Sequence, residues 1–127
     1  MLLQEKALLL RIFIGENDRF GQHPLYEAIV LKAREEGLAG ATVLRGPMGF
    51  GHSSRLHTAK ILRLSEDLPV VVEIVDSEQK IKRFLPRVDA MVKGGLISIE
   101  EVLILRYGSD RKEIEIPSSA VTASASS

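Results

Sequence analysis

The sequence predicts a single α+β domain of split β-α-β type, with its elements in the order β-α-β-β-α-β. Three features predict it. Apolar runs of strand length alternate with two segments of helical periodicity, and turn residues bound each segment. No internal repeat is visible beyond the two β-α-β halves. Finally, 127 residues with 45% apolar and 27% charged side chains make an ordinary mixture for one packed domain.

Residues 8–14 form the first strand, with Leu8, Leu10, Ile12 and Ile14 on one side and Leu9, Arg11 and Phe13 on the other. A polar, glycine-containing loop follows over 15–22. Pro24 is expected at the first helical position, where a missing N–H does no harm. Leu25, Ala28, Ile29 and Ala33 recur at helical spacing, and Gly37 is the expected stop. The second strand is 41–45, and 69–75 is a valine-rich core strand. Residues 58–64 are read as a strand extension and 65–68 as a turn. Asp76 with Gln79 resembles a capping box, and Ile81, Phe84, Leu85, Val88 and Val92 share one helical face. Pro86 inside that helix predicts a kink, Gly94 and Gly95 its end, and 99–107 the last strand with a bulge at Glu100 and Glu101. This is the ferredoxin-like arrangement, an antiparallel sheet with both helices on one face. The first strand is apolar on both faces, so the uncovered face is expected to be buried against other copies in a homo-oligomer.

Seventeen basic residues balance seventeen acidic ones, so no bulk field draws the chain to nucleic acid or a membrane surface. Without cysteine there are no disulfides, thiolate metal sites or cysteine nucleophiles. The apolar run near the N-terminus is too short for a signal peptide or a spanning helix, and a cytoplasmic protein is expected. Residues 1–117 are read as the domain, and 118–127, a run of small residues rich in serine, as a disordered tail.

The sharpest functional signal is the stretch from Gly46 through Gly49, Phe50 and Gly51 to Ser54, expected to be irregular. Glycines let a backbone approach a ligand and turn its N–H groups toward an anion, while Arg45, Ser53, Ser54 and Arg55 add donors. The long connection between the second and third strands exceeds what joining strands requires. It is neither a P-loop nor a Rossmann fingerprint. Lys93, Gly94 and Gly95 form a second candidate phosphate cradle that also reads as a helix end, and Arg106 is a third cationic position. His52 and His57 lack companion ligands for a metal site, and His23 reads as a helix-start residue. No nucleophile–base constellation or carboxylate pair stands out, so a binding protein rather than an enzyme is expected. RNA recognition would need aromatic strands, but Phe13 is the only aromatic there. The context of Arg19 does not match an acylphosphatase loop.

On residues 10–16, on Arg45–Gly46 with Met48, Gly49, Phe50 and Gly51, on 68–76 and on 102–107, the chain resembles the PII-like signalling superfamily, in its uncharacterised domain-of-unknown-function branch. The resemblance covers about residues 7–107. It implies a homotrimer that binds an adenine nucleotide (AMP, ADP or ATP) between subunits and signals through its long loop. By position it implies a nucleotide site at Arg45, Gly46, Gly49, Phe50 and Gly51, with Lys93, Gly94, Gly95 and Arg106. It implies no obligatory cofactor and no metal. The target protein is unidentified, a membrane transporter or channel being one candidate class. The modifiable loop tyrosine of PII proteins is absent, and Lys93 precedes its glycines instead of following them. The alternatives are a metal-binding trimer of copper-tolerance type using His52 and His57, and a nucleotide hydrolase.

Overall fold

A computed structural model of the chain describes residues 5–50, 56–58 and 67–108. The elements in order are β1 (Glu5–Gly15), β2 (Arg19–Phe20), β3 (His23–Pro24), α1 (Leu25–Glu35), β4 (Thr42–Arg45), β5 (Met48–Phe50), β6 (Leu56–Thr58), β7 (Pro69–Ser77), α2 (Glu78–Met91) and β8 (Leu96–Ile104). Four strands form one antiparallel sheet ordered β4-β7-β1-β8. The fold is the expected β-α-β-β-α-β arrangement, carrying two small hairpins, β2–β3 and β5–β6.

Strand alternation sets the core. Leu8, Leu10, Ile12 and Ile14 of β1 join Val70, Val72 and Ile74 of β7 on the inner face, all buried. Leu25, Ile29 and Ala33 of α1 and Ile81, Phe84, Val88 and Met91 of α2 pack on them. Met91 completes the α2 stripe, while Leu85 and Val92 lie at its half-buried margin.

Several boundaries differ from expectation. Pro24 precedes the first helix instead of opening it, because pairing with Arg19 holds it extended, with ψ 139°. At the other end Gly37 adopts φ 79°, with Gly37 N–H bonded to the Arg34 carbonyl and Leu38 N–H to the Ala33 carbonyl. This is a Schellman closure, and it turns the chain toward β4. The second helix is capped by Ser77 and not by Asp76: the Ser77 hydroxyl accepts from Lys80 N–H at 3.2 Å. Asp76 stays in the strand, buried, its two oxygens accepting from Ala39 N–H at 2.8 Å and Ser77 N–H at 2.7 Å. The helix then runs through Pro86 and ends at Met91. β8 begins three residues before the expected start and pairs with β1 without a bulge, Glu100 opposite Leu9 and Glu101 opposite Leu8. Most of the expected strand extension over 58–64, half of the 65–68 turn and the 118–127 tail lie outside the described residues.

The outer sheet face is not covered by any described helix. Its first row crosses all four strands as Leu44, Val71, Phe13 and Leu96. Leu44 and Leu96 expose 47% and 59% of their surface, a large apolar exposure for one row. The next row is polar: Arg11 bonds Glu73 at 2.9 Å and reaches Glu100 at 3.2 Å. The Glu73 hydrogen bond raises the Arg11 pKa above its ordinary value, so the guanidinium stays charged.

Phe84→Ala should destabilise the fold by about 3–5 kcal/mol through the cavity it leaves. Gly37→Ala should cost about 1 kcal/mol from conformation alone, since the added Cβ would meet open space. Urea unfolding monitored by circular dichroism measures both.

Candidate functional site

The residues singled out by the sequence fall at three places. Arg45 ends β4 at the sheet edge, and Gly46 follows it. The Arg45 Nε lies 3.0 Å from Glu16 Oε1, and its Nη2 donates to the Tyr26 hydroxyl at 3.2 Å. Its guanidinium carbon also stands 5.6 Å from the Tyr26 ring centroid, within cation–π range. Gly46 N–H donates to the Pro69 carbonyl at 2.8 Å, so this amide closes the sheet instead of pointing toward an anion. Gly49 and Phe50 belong to β5, whose pairing with β6 sets Gly49 opposite His57. Of the expected irregular run, residues 48–50 are therefore strand. A projecting segment satisfies its backbone polar groups by pairing with itself. Gly51 and His52 lie outside the described residues.

Lys93, Gly94 and Gly95 make the exposed bend between α2 and β8. Gly95 has a packing reason to be glycine: an added Cβ would sit 2.5 Å from the Phe13 carbonyl oxygen and 3.1 Å from side-chain atoms of Ile14 and Val92. That close approach delivers the chain directly into the Phe13–Leu96 pairing.

Arg106 follows β8 at the opposite end of the sheet. Arg45 pairs with Val70 and Leu96 with Phe13, whereas Ile104 pairs with Glu5. Nine strand residues separate the two ends, roughly 27 Å, and the β4 and β8 edges stand about 14 Å apart. One copy therefore does not bring Arg45–Gly46, Lys93–Gly95 and Arg106 together.

Around Arg106 lies a groove that sequence reading missed, with a volume of about 1280 Å³. Leu9 and Val75 of the outer face line it, with the 37–42 connection on one side and 102–107 on the other. The Tyr107 hydroxyl lies 3.4 Å from the Ala39 carbonyl, and Lys80 Nζ lies 3.5 Å from the Gly37 carbonyl. Lys80 and Arg106 bring two cations to a partly apolar floor. Its two carboxylates are already engaged, Glu73 by Arg11 and Asp76 by backbone N–H groups. Only Arg106, read as a third cationic position, hinted at this site. The walls come from three segments distant in sequence, which no local pattern joins. Among the described residues no group of three or more His, Asp or Glu is placed to hold a metal ion, and His23 lies 3.6 Å from Glu27. Nor is any helix among them long and apolar enough to cross a membrane.

The family model described as DUF190, Uncharacterized ACR, COG1993, matches residues 7–104, which span all four strands of the main sheet and both helices. The chain belongs to the DUF190 family. Among its DUF190 relatives, a UPF0166 protein of Aquifex aeolicus (strain VF5) is 43% identical over 100 residues, covering 79% of this chain and 94% of that one. A UPF0166 protein of Methanocaldococcus jannaschii is 39% identical over 97 residues, covering 76% of this chain and 89% of its own. The DUF190 fold is also PII-like. The nitrogen regulatory PII-like protein CPII from Thiomonas intermedia K12, bound to ADP and bicarbonate, superposes with a TM-score of 0.55 at 17% identity. That match covers 84% of this chain and 95% of CPII. A second CPII structure, with ADP, AMP and bicarbonate, gives a TM-score of 0.58 at 14% identity, covering 84% and 94%.

If Gly95 is a packing residue, Gly95→Ala should cost about 1–3 kcal/mol by overpacking. The exposed Lys93→Ala should stay within about 0.5 kcal/mol of the parent. Equilibrium urea unfolding distinguishes them, and equal stability of the two variants would remove the packing role.

Proposed function

We propose that this DUF190 protein is a PII-like ligand sensor, a homotrimer that binds an adenine nucleotide in clefts between subunits. The observation that carries this reading is the Arg106 groove, which brings Lys80 and Arg106 together with the apolar Leu9 and Val75 at one end of the uncovered sheet face. A nucleotide has matching parts, a flat base for apolar contact and phosphates for cations. Arg45–Gly46 and Lys93–Gly95 stand too far from Arg106 to share a ligand within one copy, so a cleft using all three needs a neighbour's contribution. The uncovered row of Leu44, Val71, Phe13 and Leu96 supplies the surface for that neighbour. Likeness of fold to CPII, whose structures hold ADP, AMP and bicarbonate, supports the same ligand class.

On this reading the protein binds and reports instead of catalysing. Both groove carboxylates already accept hydrogen bonds, Glu73 at Oε2 from Arg11 and Asp76 at both oxygens from backbone N–H groups, which supports a binding role. The signal would be a population shift. A nucleotide contacting the base of the segment between β4 and β7 favours one of its conformations, by as much as its affinities for the two differ. A target protein, for which a membrane transporter or channel remains a candidate class, would read that conformation.

Calorimetric titration with AMP, ADP and ATP tests the proposal. At least one should bind with micromolar to submillimolar affinity, and Arg106→Ala should weaken that ligand roughly tenfold, the loss of a charge-assisted phosphate contact. Absence of binding by all three at millimolar concentration would overturn it.

A further inference from the structure

The turn after β1 touches both feet of the segment that joins β4 to β7. At the entry, the Glu16 carboxylate holds Arg45. At the exit, Asn17 N–H donates to Asp67 Oδ1 at 2.6 Å, and Glu16 N–H donates to the Leu68 carbonyl at 2.8 Å. Gly15 makes room for this arrangement, since a Cβ there would run into the Asp67 carboxylate. Asp18 tightens the turn by accepting from Gly15 N–H at 2.9 Å. The turn is thus a clasp with two unequal halves. The exit half involves backbone N–H groups, whereas the entry half is one side-chain ion pair.

The ion pair occupies a particular edge of Arg45. A guanidinium binds a carboxylate or phosphate through two parallel N–H groups, one fork at a time. The fork formed by Nε and Nη2 is taken, Nε by Glu16 and Nη2 by the Tyr26 hydroxyl, while the Tyr26 ring lies beside the guanidinium. Glu16 is anchored through its own backbone, so its side chain can swing away without disturbing the turn.

From this geometry we infer that Glu16 is an internal stand-in for the anionic part of the ligand: it occupies the Nε–Nη2 fork of Arg45 until a phosphate group displaces it. The inference rests on the nucleotide reading above and deepens it, since it names the group that a phosphate must displace at Arg45, while pairing with Val70 and the Gly46 N–H bond to the Pro69 carbonyl keep Arg45 in β4. Glu16 is then a positioning residue that sets the affinity threshold through Arg45. A ligand with a single negative charge displaces it less readily than a phosphate group carrying two.

The test is calorimetric titration of the full chain with ADP, comparing wild type with Glu16→Gln, Glu16→Ala, Arg45→Gln and the Glu16→Gln/Arg45→Gln pair. Thermal melts establish that each variant is folded. Both Glu16 variants should bind ADP more tightly, by roughly 1.5- to 5-fold, the weight of one exposed ion pair. Arg45→Gln should bind more weakly, and adding Glu16→Gln to it should change nothing further, because the competition acts through Arg45. Wild-type or weaker binding by both Glu16 variants would overturn the inference alone, as would a gain that persists without Arg45. Failure of every protein to bind ADP, AMP or ATP would overturn the nucleotide reading and this inference with it.

Discussion

An antiparallel sheet covered by helices on one face only must find a partner for its other face or leave it wet, and this constraint organises the molecule. The inner face is completed by α1 and α2, which bury Phe84, Ile29 and the alternate residues of β1 and β7. The outer face carries an apolar row across four strands beside a polar row centred on Arg11 and Glu73, with Arg11 also reaching Glu100 of the row beyond. An all-apolar face would associate in many registers. An ion-pair cluster in its middle penalises those that leave the charges unpaired, a role for which polar groups at interfaces are well suited.

The same sheet sets where the chemistry can be. Its two ends hold different equipment, Arg45 and the 93–95 bend at one and the Arg106 groove at the other. Two glycines at the first end answer to packing: Gly15 admits the Asp67 carboxylate, and Gly95 lets the chain pass over the Phe13 carbonyl. The first end is consequently well braced. The turn after β1 joins that bracing to Arg45 through Glu16.

Much of this was legible in the residues. Leu8, Leu10, Ile12 and Ile14 announced the inner face by strict alternation, and Leu25, Ala28, Ile29 and Ala33 announced the buried stripe of α1. Both patterns come from burial, which is written into hydrophobic period. Boundaries were less legible, because tertiary pairing decided them. Asp76 looks like a cap, but its carboxylate is drawn to Ala39 N–H, 37 residues away in the chain. Gly94 and Gly95 looked like a phosphate cradle because glycine signals any close approach, to a ligand or to a strand. The groove was invisible for a different reason: residues 37–42, 73–80 and 102–107 meet only after the sheet has formed. Likewise Glu16, which the sequence marks only as part of the 10–16 resemblance, gains a structural partner when Arg45 is seen beside it.

Assembly through the outer face is the claim on which the shared cleft and the role of the β4–β7 segment depend. Light scattering coupled to size exclusion, at micromolar chain concentration, measures it most directly. The account predicts a particle of three times the 14.0 kDa chain mass, reduced to a single chain when Phe13 and Leu96 are both changed to glutamate. A wild-type particle with the mass of one chain would contradict it.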